Sequence, residues 1–305
     1  MPKPKKIKIT PQRQPIFWIR QIVLAGLIVW VASGVIWWTR IYGSPRRVFH
    51  DMLSNNLSTT SYTKVTSMNQ EPESIQQSTQ VSFVDQVTSR SVVLLQQKGQ
   101  TGAKSSVKTE SIGTSTHDYS RYLDIQTAQT TDAKKPDYRR IQGAWAKSDS
   151  SETTKPQYLR QALLSLLPFG NLQQDNRTRA LTALVDSNAY SVDYNNVKQE
   201  KVNGKRALVY SVKIDLARYV TAFNNVAKSA GYSDLVELSS DAYQNTPPVE
   251  AKIAVSKTSH RLLQIVYQDG QQTEDYMSFG LRAPIDVPKT DLSILDLQKQ
   301  IRDLQ

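Results

Sequence analysis

The chain of 305 residues contains no cysteine. This absence excludes disulfide bonds, thiolate metal sites and an anchor built on a lipid-modified cysteine. A folded domain must therefore be held together by its apolar core, and the chain is long enough to bury one. Histidine is also scarce, and none of His50, His117 and His260 has a partner at metal-ligand spacing. We expect no metal and no cofactor.

Acidic residues are absent from residues 1–47, which carry nine Lys and Arg. Residues 48–305 hold the other 38 − 9 = 29 Lys and Arg against 27 Asp and Glu, a net charge of +2. The total of +11 is therefore concentrated at one end of the chain. The remainder lacks the excess field that drives binding to phosphate backbones, so we expect no nucleic-acid partner.

Charged residues are also absent from Gln21 to Trp38, which form an apolar run. Residues 16–19, on the N-terminal side of Arg20, extend this run. A helix of some 20 residues crosses a hydrocarbon core about 30 Å thick. Six cations up to Arg20, without an anion, favour a cytoplasmic N-terminus. We therefore predict a single-pass signal anchor over 16–38, with the remaining chain extracytoplasmic in the cell envelope.

Five side chains are expected at the membrane interfaces, where amphipathic rings and snorkelling cations are favoured. They are Trp18, Arg20, Trp37, Trp38 and Arg40. The alternative to an anchor is cleavage near Ser33, because Val31 to Ser33 has the small residues of a signal-peptidase site. The apolar run continues beyond Ser33 to Trp38, which favours the anchor.

The predicted organisation has five parts. Residues 1–15 form a basic cytoplasmic tail, 16–38 the transmembrane helix, and 39–60 a linker with a short amphipathic helix. Residues 61–290 form an extracytoplasmic domain of antiparallel sheet and helices, and 291–305 a C-terminal helix. Disorder is the alternative for the polar stretches 66–80 and 98–118, where apolar residues are sparse.

Local patterns place the elements of this domain. Tyr158 to Leu167 has a broad apolar stripe and precedes Pro168, which predicts a leucine-rich helix. Asn203-Gly204 predicts a type I′ hairpin that leads into a helix beginning after Asp215 and ending at Gly231. Residues 249–281 alternate over three strands of a meander, and Asp291 is a candidate N-cap of the terminal helix.

The order of these elements resembles the LolA and LppX-like (LprG-type) lipoprotein superfamily. The likeness is carried by Val202 to Ala227 and by Pro248 to Phe279. It implies an α+β fold, with a curved antiparallel β-sheet (half-barrel-like) covered by helices, and a cradle for lipid chains. Two features depart from the family: a transmembrane helix replaces the lipid-modified cysteine, and a C-terminal helix is added.

The functional candidates are apolar side chains that either line a pocket between sheet and helices or form only core. They are Leu159, Leu163, Leu166, Leu167, Phe169, Tyr219 and Phe223. We expect a non-catalytic binding protein for a lipid or other apolar ligand, or alternatively an envelope adaptor that binds another protein or a wall polymer. A third alternative is a serine hydrolase, because Ser61 to Lys64 and Ser105 to Lys108 match S-x-x-K. Their strand-like and loop-like surroundings disfavour it.

Overall fold

The computed structural model describes residues 43–99, 104–127, 137–148, 156–236, 238–268, 270–281 and 284–303, together with 29–31 and 33. The chain divides into two compact units, Met1–Arg47 and Val48–Gln305. In the first unit, Val29 to Val31 and Ser33 are helical and exposed. The five predicted membrane-interface residues lie outside the described residues. No helix within the described ranges has the length and apolar character needed to cross a bilayer.

The second unit is an α+β domain built on an antiparallel sheet. The strands are β1 Ser61–Gln70, β2 Glu73–Ser82, β3 Thr88–Lys98, β4 Lys104–Gly113, β5 Asp118–Gln126, β6 Ala146–Lys147, β7 Tyr190–Val192, β8 Lys198–Val202, β9 Lys205–Ile214, β10 Val249–Ser256, β11 Leu262–Tyr267 and β12 Gln272–Met277. The helices are α1 Pro45–Leu57, α2 Gln157–Leu163, α3 Gln174–Asp186, α4 Leu216–Ala230, α5 Ser233–Val236 and α6 Ile294–Arg302. Two 3₁₀ turns span Tyr138–Arg140 and Ser240–Tyr243.

The sheet is curled but does not close on itself. Its strand order is β6-β5-β4-β3-β2-β1-β12-β11-β10-β9-β7, with β8 paired to β9 beside this path, among the described residues. The first five strands pair in sequence order, and β12 then joins β1 to the meander β10 to β12. The predicted polar stretches are thus strands: β1 and β2 run through 66–80, and β4 occupies 104–113.

Alternation along the strands, interrupted by register shifts between β4 and β5 and between β10 and β11, gives the sheet two different faces. In β9, Leu208, Tyr210, Val212 and Ile214 are buried in the main core, whereas Ser211 and Lys213 are exposed. We call the face of the main core the inner face and the opposite one the outer face. The predicted hairpin is confirmed, since β8 and β9 pair around Asn203-Gly204 and both turn residues have positive φ, 51° and 75°.

The helices cover the inner face. Helix α4 begins and ends as predicted: the Asp215 carboxylate accepts a hydrogen bond from the Arg218 N–H at 3.1 Å, and Gly231 closes the helix with φ 77°. Helix α6 begins later than Asp291, because Ser293 caps it by accepting from the Asp296 N–H at 3.0 Å. The third meander strand ends at Met277, short of the predicted Leu281.

The leucine-rich helix is much shorter than predicted. Helix α2 stops at Leu163, and Leu164 is already extended. Proline at 168 has no N–H and disfavours helical backbone at the residue before it, so the helix cannot continue through Leu167. Residues 164–172 instead run as an irregular segment under the other helices.

Candidate ligand-binding groove

The seven predicted ligand-binding residues come together, but in the main core. Leu159 and Leu163 lie on α2 and the next three in the irregular segment, while Tyr219 and Phe223 lie on α4 with ring centroids 5.7 Å apart. Six of the seven are buried, and Leu166 is partly buried against the same core. The choice between pocket wall and plain core stays open at these positions, and their ligand contact remains a prediction.

Tyrosine hydroxyls explain how the irregular segment tolerates burial. Three of them donate to backbone carbonyls of this segment: Tyr190 to Leu166 at 3.0 Å, Tyr219 to Ser165, and Tyr232 to Phe169 at 2.7 Å. A fourth, Tyr62, donates at 3.2 Å to the Ala162 carbonyl in the last turn of α2. Burial raises the pKa of each of these phenols well above its ordinary value, so they remain protonated donors. These hydroxyls therefore satisfy buried carbonyls at and beyond the end of α2.

Helix α2 is attached to the sheet by two contacts. The Asp118 carboxylate at the start of β5 accepts from the backbone N–H groups of Gln157 and Tyr158, at 2.6 and 3.1 Å. Gly113 on β4 lies so close to α2 that a Cβ there would stand 2.3 Å from the Leu159 nitrogen. The helix therefore turns Leu159 into the core while Tyr158 and Gln161 overlie strands β2 to β5.

Beneath α2 the inner face forms a polar pocket of about 220 Å³. Its sheet residues are mainly hydroxyl and amide side chains, namely Gln77, Ser91, Thr109, Ser111 and Ser120 with Val93 and Tyr122. Ser91 shares a hydrogen bond of 2.8 Å with Thr79, which also accepts from Gln77 at 3.0 Å. Burial raises the pKa of Tyr158, so this phenol also stays neutral.

Arg121 is the charged residue among those that line this pocket. Its charge is compensated by Glu110 on the outer face of the sheet. It pairs directly with Glu110, so the two side chains share the outer face. Its Nε donates to Glu110 at 2.7 Å, and its guanidinium lies 4.6 Å from the Trp145 ring centroid. Although burial raises the pKa of Glu110, hydrogen bonds from Arg121 and Arg90 outweigh it and hold this pKa below its ordinary value. The inner pocket is therefore effectively uncharged.

An apolar row crosses the inner face directly beside the pocket. Five side chains on β1 to β5 pair across neighbouring strands and form this row: Met68, Ile75, Leu95, Val107 and Ile125. Leu95 is 37% exposed and the others are partly buried. At the far edge, Ile125 packs against a satellite core that includes Leu297 of α6. We call the polar pocket and this row together the groove.

A buried ion pair lies at the other border of the groove. Lys64 of β1 lies 3.6 Å from the Glu274 carboxylate, which also accepts from the Tyr276 hydroxyl at 2.6 Å. Lys64 occupies the inner face next to Thr79, because the two residues pair directly. The pair compensates its own charges, so the groove has no net charge at this side either.

The S-x-x-K pairs cannot act together. Ser61 and Lys64 stand three residues apart on β1 and therefore point to opposite faces. The Ser61 hydroxyl donates to the Leu281 carbonyl at 2.7 Å instead. Ser105 and Lys108 on β4 are separated in the same way. The geometry therefore opposes a serine hydrolase of this type.

Sequence reasoning missed the groove. Part of it comes from 66–80 and 98–118, stretches so rich in Ser, Thr and Gln that disorder is the competing prediction there. Ile75 and Val107 are single apolar residues among polar ones, and Leu95 ends a short apolar run on a third strand. They become a row only through the pairing register. Counting outward from each hairpin turn would have aligned them, had the turns been known.

Comparison with known proteins identifies no family. No family model and no curated protein matches the chain. Among solved structures it is similar to the crystal structure of LprF from Mycobacterium bovis, with a TM-score of 0.38 and 13% sequence identity. The alignment covers 80% of this chain and 95% of LprF. A likeness this distant carries no argument about function.

Proposed function

We propose that this chain is a membrane-anchored extracytoplasmic binding protein that holds a lipid or similar amphipathic ligand in the groove, without chemistry. The observation that carries the proposal is the partly exposed apolar row beside an uncharged polar pocket. A contiguous apolar surface rimmed by polar residues often marks an interaction site or a ligand-binding groove. Binding sites typically combine such a surface with a few convergent polar groups, as here.

The dimensions of the groove suit an acyl chain with an uncharged polar head. Five strands about 4.8 Å apart extend the row over roughly 19 Å, comparable to a long hydrocarbon chain. Each methylene removed from water contributes about 0.8 kcal/mol, so even partial cover of the row gives useful affinity. The neutral lining of the pocket would leave a charged head without a counterion, which disfavours one.

The anchor is proposed from the sequence. The uncharged run before Trp38, the cations before it and the tryptophans at its borders support a membrane span with the domain outside. A bilayer beside the domain supplies the proposed ligand. The competing proposal, an envelope adaptor, places another protein or a wall polymer on the same surface.

Photo-crosslinking tests the ligand and its position. The full chain in lipid nanodiscs would be irradiated with a fatty acid that carries a diazirine, and crosslinked peptides mapped by mass spectrometry. We expect crosslinks on β2 to β4, and an about tenfold loss in Leu95→Asp, because a carboxylate in the row disfavours acyl contact. Leu94→Asp is the matched control, because Leu94 lies on the same strand but on the outer face.

Two results would count against lipid binding. Crosslinks spread evenly over both faces would indicate contact with the bulk bilayer only. Equal losses in Leu95→Asp and Leu94→Asp would show that the row has no special role. A domain that acquires no lipid crosslinks at all would favour the adaptor.

A further inference from the structure

Three cations gather on one side of the β8–β9 hairpin. Lys201 and Arg206 pair directly across the two strands, so their side chains project from the same side of the hairpin. Lys257, in the β10–β11 turn, donates from its backbone N–H to the Arg206 carbonyl at 3.0 Å. Its ammonium donates at 3.2 Å to Gln199, which lies on the same side two residues before Lys201. We call Lys201, Arg206 and Lys257 the cationic cluster.

The cluster lacks compensation within the fold. None of its three members forms an ion pair with a carboxylate in the part of the chain that the structure describes. Glu200 lies on the opposite side of the hairpin, since it pairs with Ala207. Like charges directly opposite each other destabilise a strand pair. The fold therefore keeps an arrangement that is unfavourable in isolation and favourable beside an anion.

The cluster also gives the domain a charge asymmetry. Residues 48–305 have a net charge of +2, so the domain without these three cations has +2 − 3 = −1. Lys98 and Lys104 also pair directly, at the tip of the β3–β4 hairpin. They share a surface pocket with Glu71 and Glu73, so that pair has anions beside it. At the β8–β9 turn the Asp275 carboxylate accepts from the Asn203 side chain at 2.9 Å, but within the described residues it forms no ion pair with the cationic cluster.

The β10–β11 turn connects the cluster to α1. The Asn55 side-chain amide donates to the His260 carbonyl at 2.8 Å, and His260 Nδ1 lies 2.9 Å from an Asp51 carboxylate oxygen. Helix α1 is the first described element after the predicted span, and residues 39–44 between them reach at most about 20 Å. An anchored chain would thus hold the domain beside a bilayer at an effective concentration in the millimolar range.

We propose that the cationic cluster docks the domain on the anionic lipid headgroups of the membrane that anchors it. This inference rests on the anchor of the proposed function but not on the groove. Near an anionic surface each Lys or Arg favours the bound state about fivefold, so the three together give roughly 100-fold. Tethering makes so small a number of cations sufficient. Docking would fix the orientation of the groove relative to the bilayer.

Energy transfer in nanodiscs tests this docking on the full chain. Because the chain has no cysteine, Ser259→Cys provides one dye position in the β10–β11 turn, and labelled lipids provide the acceptor. We compare discs of phosphatidylcholine with discs containing about a quarter phosphatidylglycerol. We expect greater transfer in the anionic discs, decreasing with salt as surface attraction is screened.

Paired variants separate the cluster from general charge. We expect K201Q/R206Q to shift the ratio of docked to undocked domain about 25-fold toward undocked, and K98Q/K104Q to leave it unchanged. K201Q/R206Q should also unfold at the same or a higher denaturant concentration, because it removes a like-charge pair. Equal transfer in both discs, or equal effects of the two variants, overturns the docking.

Failure of the anchor has a separate signature. A chain that does not co-elute with either disc lacks the anchor, which overturns this inference and the membrane part of the proposed function together. A chain that co-elutes but shows no dependence on anionic lipid overturns only the docking. The groove is tested independently by the crosslinks on β2 to β4.

Discussion

The clearest test of the fold is removal of one tyrosine hydroxyl from the irregular segment. Tyr232 is 3% exposed, and its hydroxyl donates to the Phe169 carbonyl at 2.7 Å. Tyr232→Phe deletes this donor and keeps the ring. The carbonyl then stays buried without its tyrosine partner, because the Phe169 side chain is itself buried and stacked on Tyr62 with centroids 4.2 Å apart.

The expected cost follows from that burial. A buried acceptor left unsatisfied costs about 1–3 kcal/mol, and we take about 2 kcal/mol. For a domain of this size, with a urea m-value of about 3 kcal/mol/M, the unfolding midpoint should fall by about 0.7 M at unchanged m. The measurement is urea unfolding of the full chain in an uncharged detergent, followed by circular dichroism.

Tyr243→Phe is the matched control, because Tyr243 lies partly exposed on the second 3₁₀ turn. The unfolding midpoint of this control should move by less than about 0.2 M, because a surface substitution usually changes the free energy of unfolding by less than about 0.5 kcal/mol. If Tyr232→Phe unfolds together with this control, tyrosine hydroxyls do not stabilise the irregular segment. The tyrosine hydroxyls would then not account for how the irregular segment tolerates burial.

Two further predictions concern the elements around the groove. Gly113→Ala should lower the free energy of unfolding in urea by about 1–3 kcal/mol, because the added Cβ meets the Leu159 backbone. Gly170→Ala is the control and should cost far less, because the nearest atom to its added Cβ lies at 3.7 Å. Equal costs would contradict the close approach of α2. Glu110→Gln should cost about 2 kcal/mol at neutral pH, because a buried carboxylate loses two arginine hydrogen bonds. Since the folded pKa of Glu110 is lowered, this stabilisation is present above the ordinary carboxyl pKa and is lost as pH falls through the folded value. Unfolding curves of wild type and variant should therefore converge in acid, and a gap that does not depend on pH would refute the assignment.

Local chemistry allowed several elements to be predicted. The hairpin at Asn203-Gly204 needs two residues that tolerate positive φ, and the ends of α4 need a carboxylate cap and a left-handed glycine. These requirements act over a few residues, so the sequence displays them directly. The early end of α2 was signalled by Pro168, but the apolar stripe through Leu167 outweighed it in our prediction.

The groove was not predictable in the same way. Its apolar row runs from Met68 to Ile125 through four strand pairings. A shift of one residue in the pairing of a strand would turn that strand's apolar side chain to the other face. The burial of residues 162–169 was equally hard to predict, because their carbonyls accept hydrogen bonds from tyrosines on β1, β7, α4 and the turn after α4. Neither fact is visible within a window of the sequence.

The sequence by itself determined the charge distribution, the apolar N-terminal run, the hairpin at Asn203-Gly204, the meander of β10 to β12 and helix α4, because each depends on neighbouring residues. Only the tertiary structure decided that the leucine-rich residues pack in the main core and that the partly exposed apolar row lies on β1 to β5. Strand pairing brings together residues far apart in the chain, and side chains alternate with a period of two. Which face a residue occupies therefore depends on register, and register is set by the whole sheet.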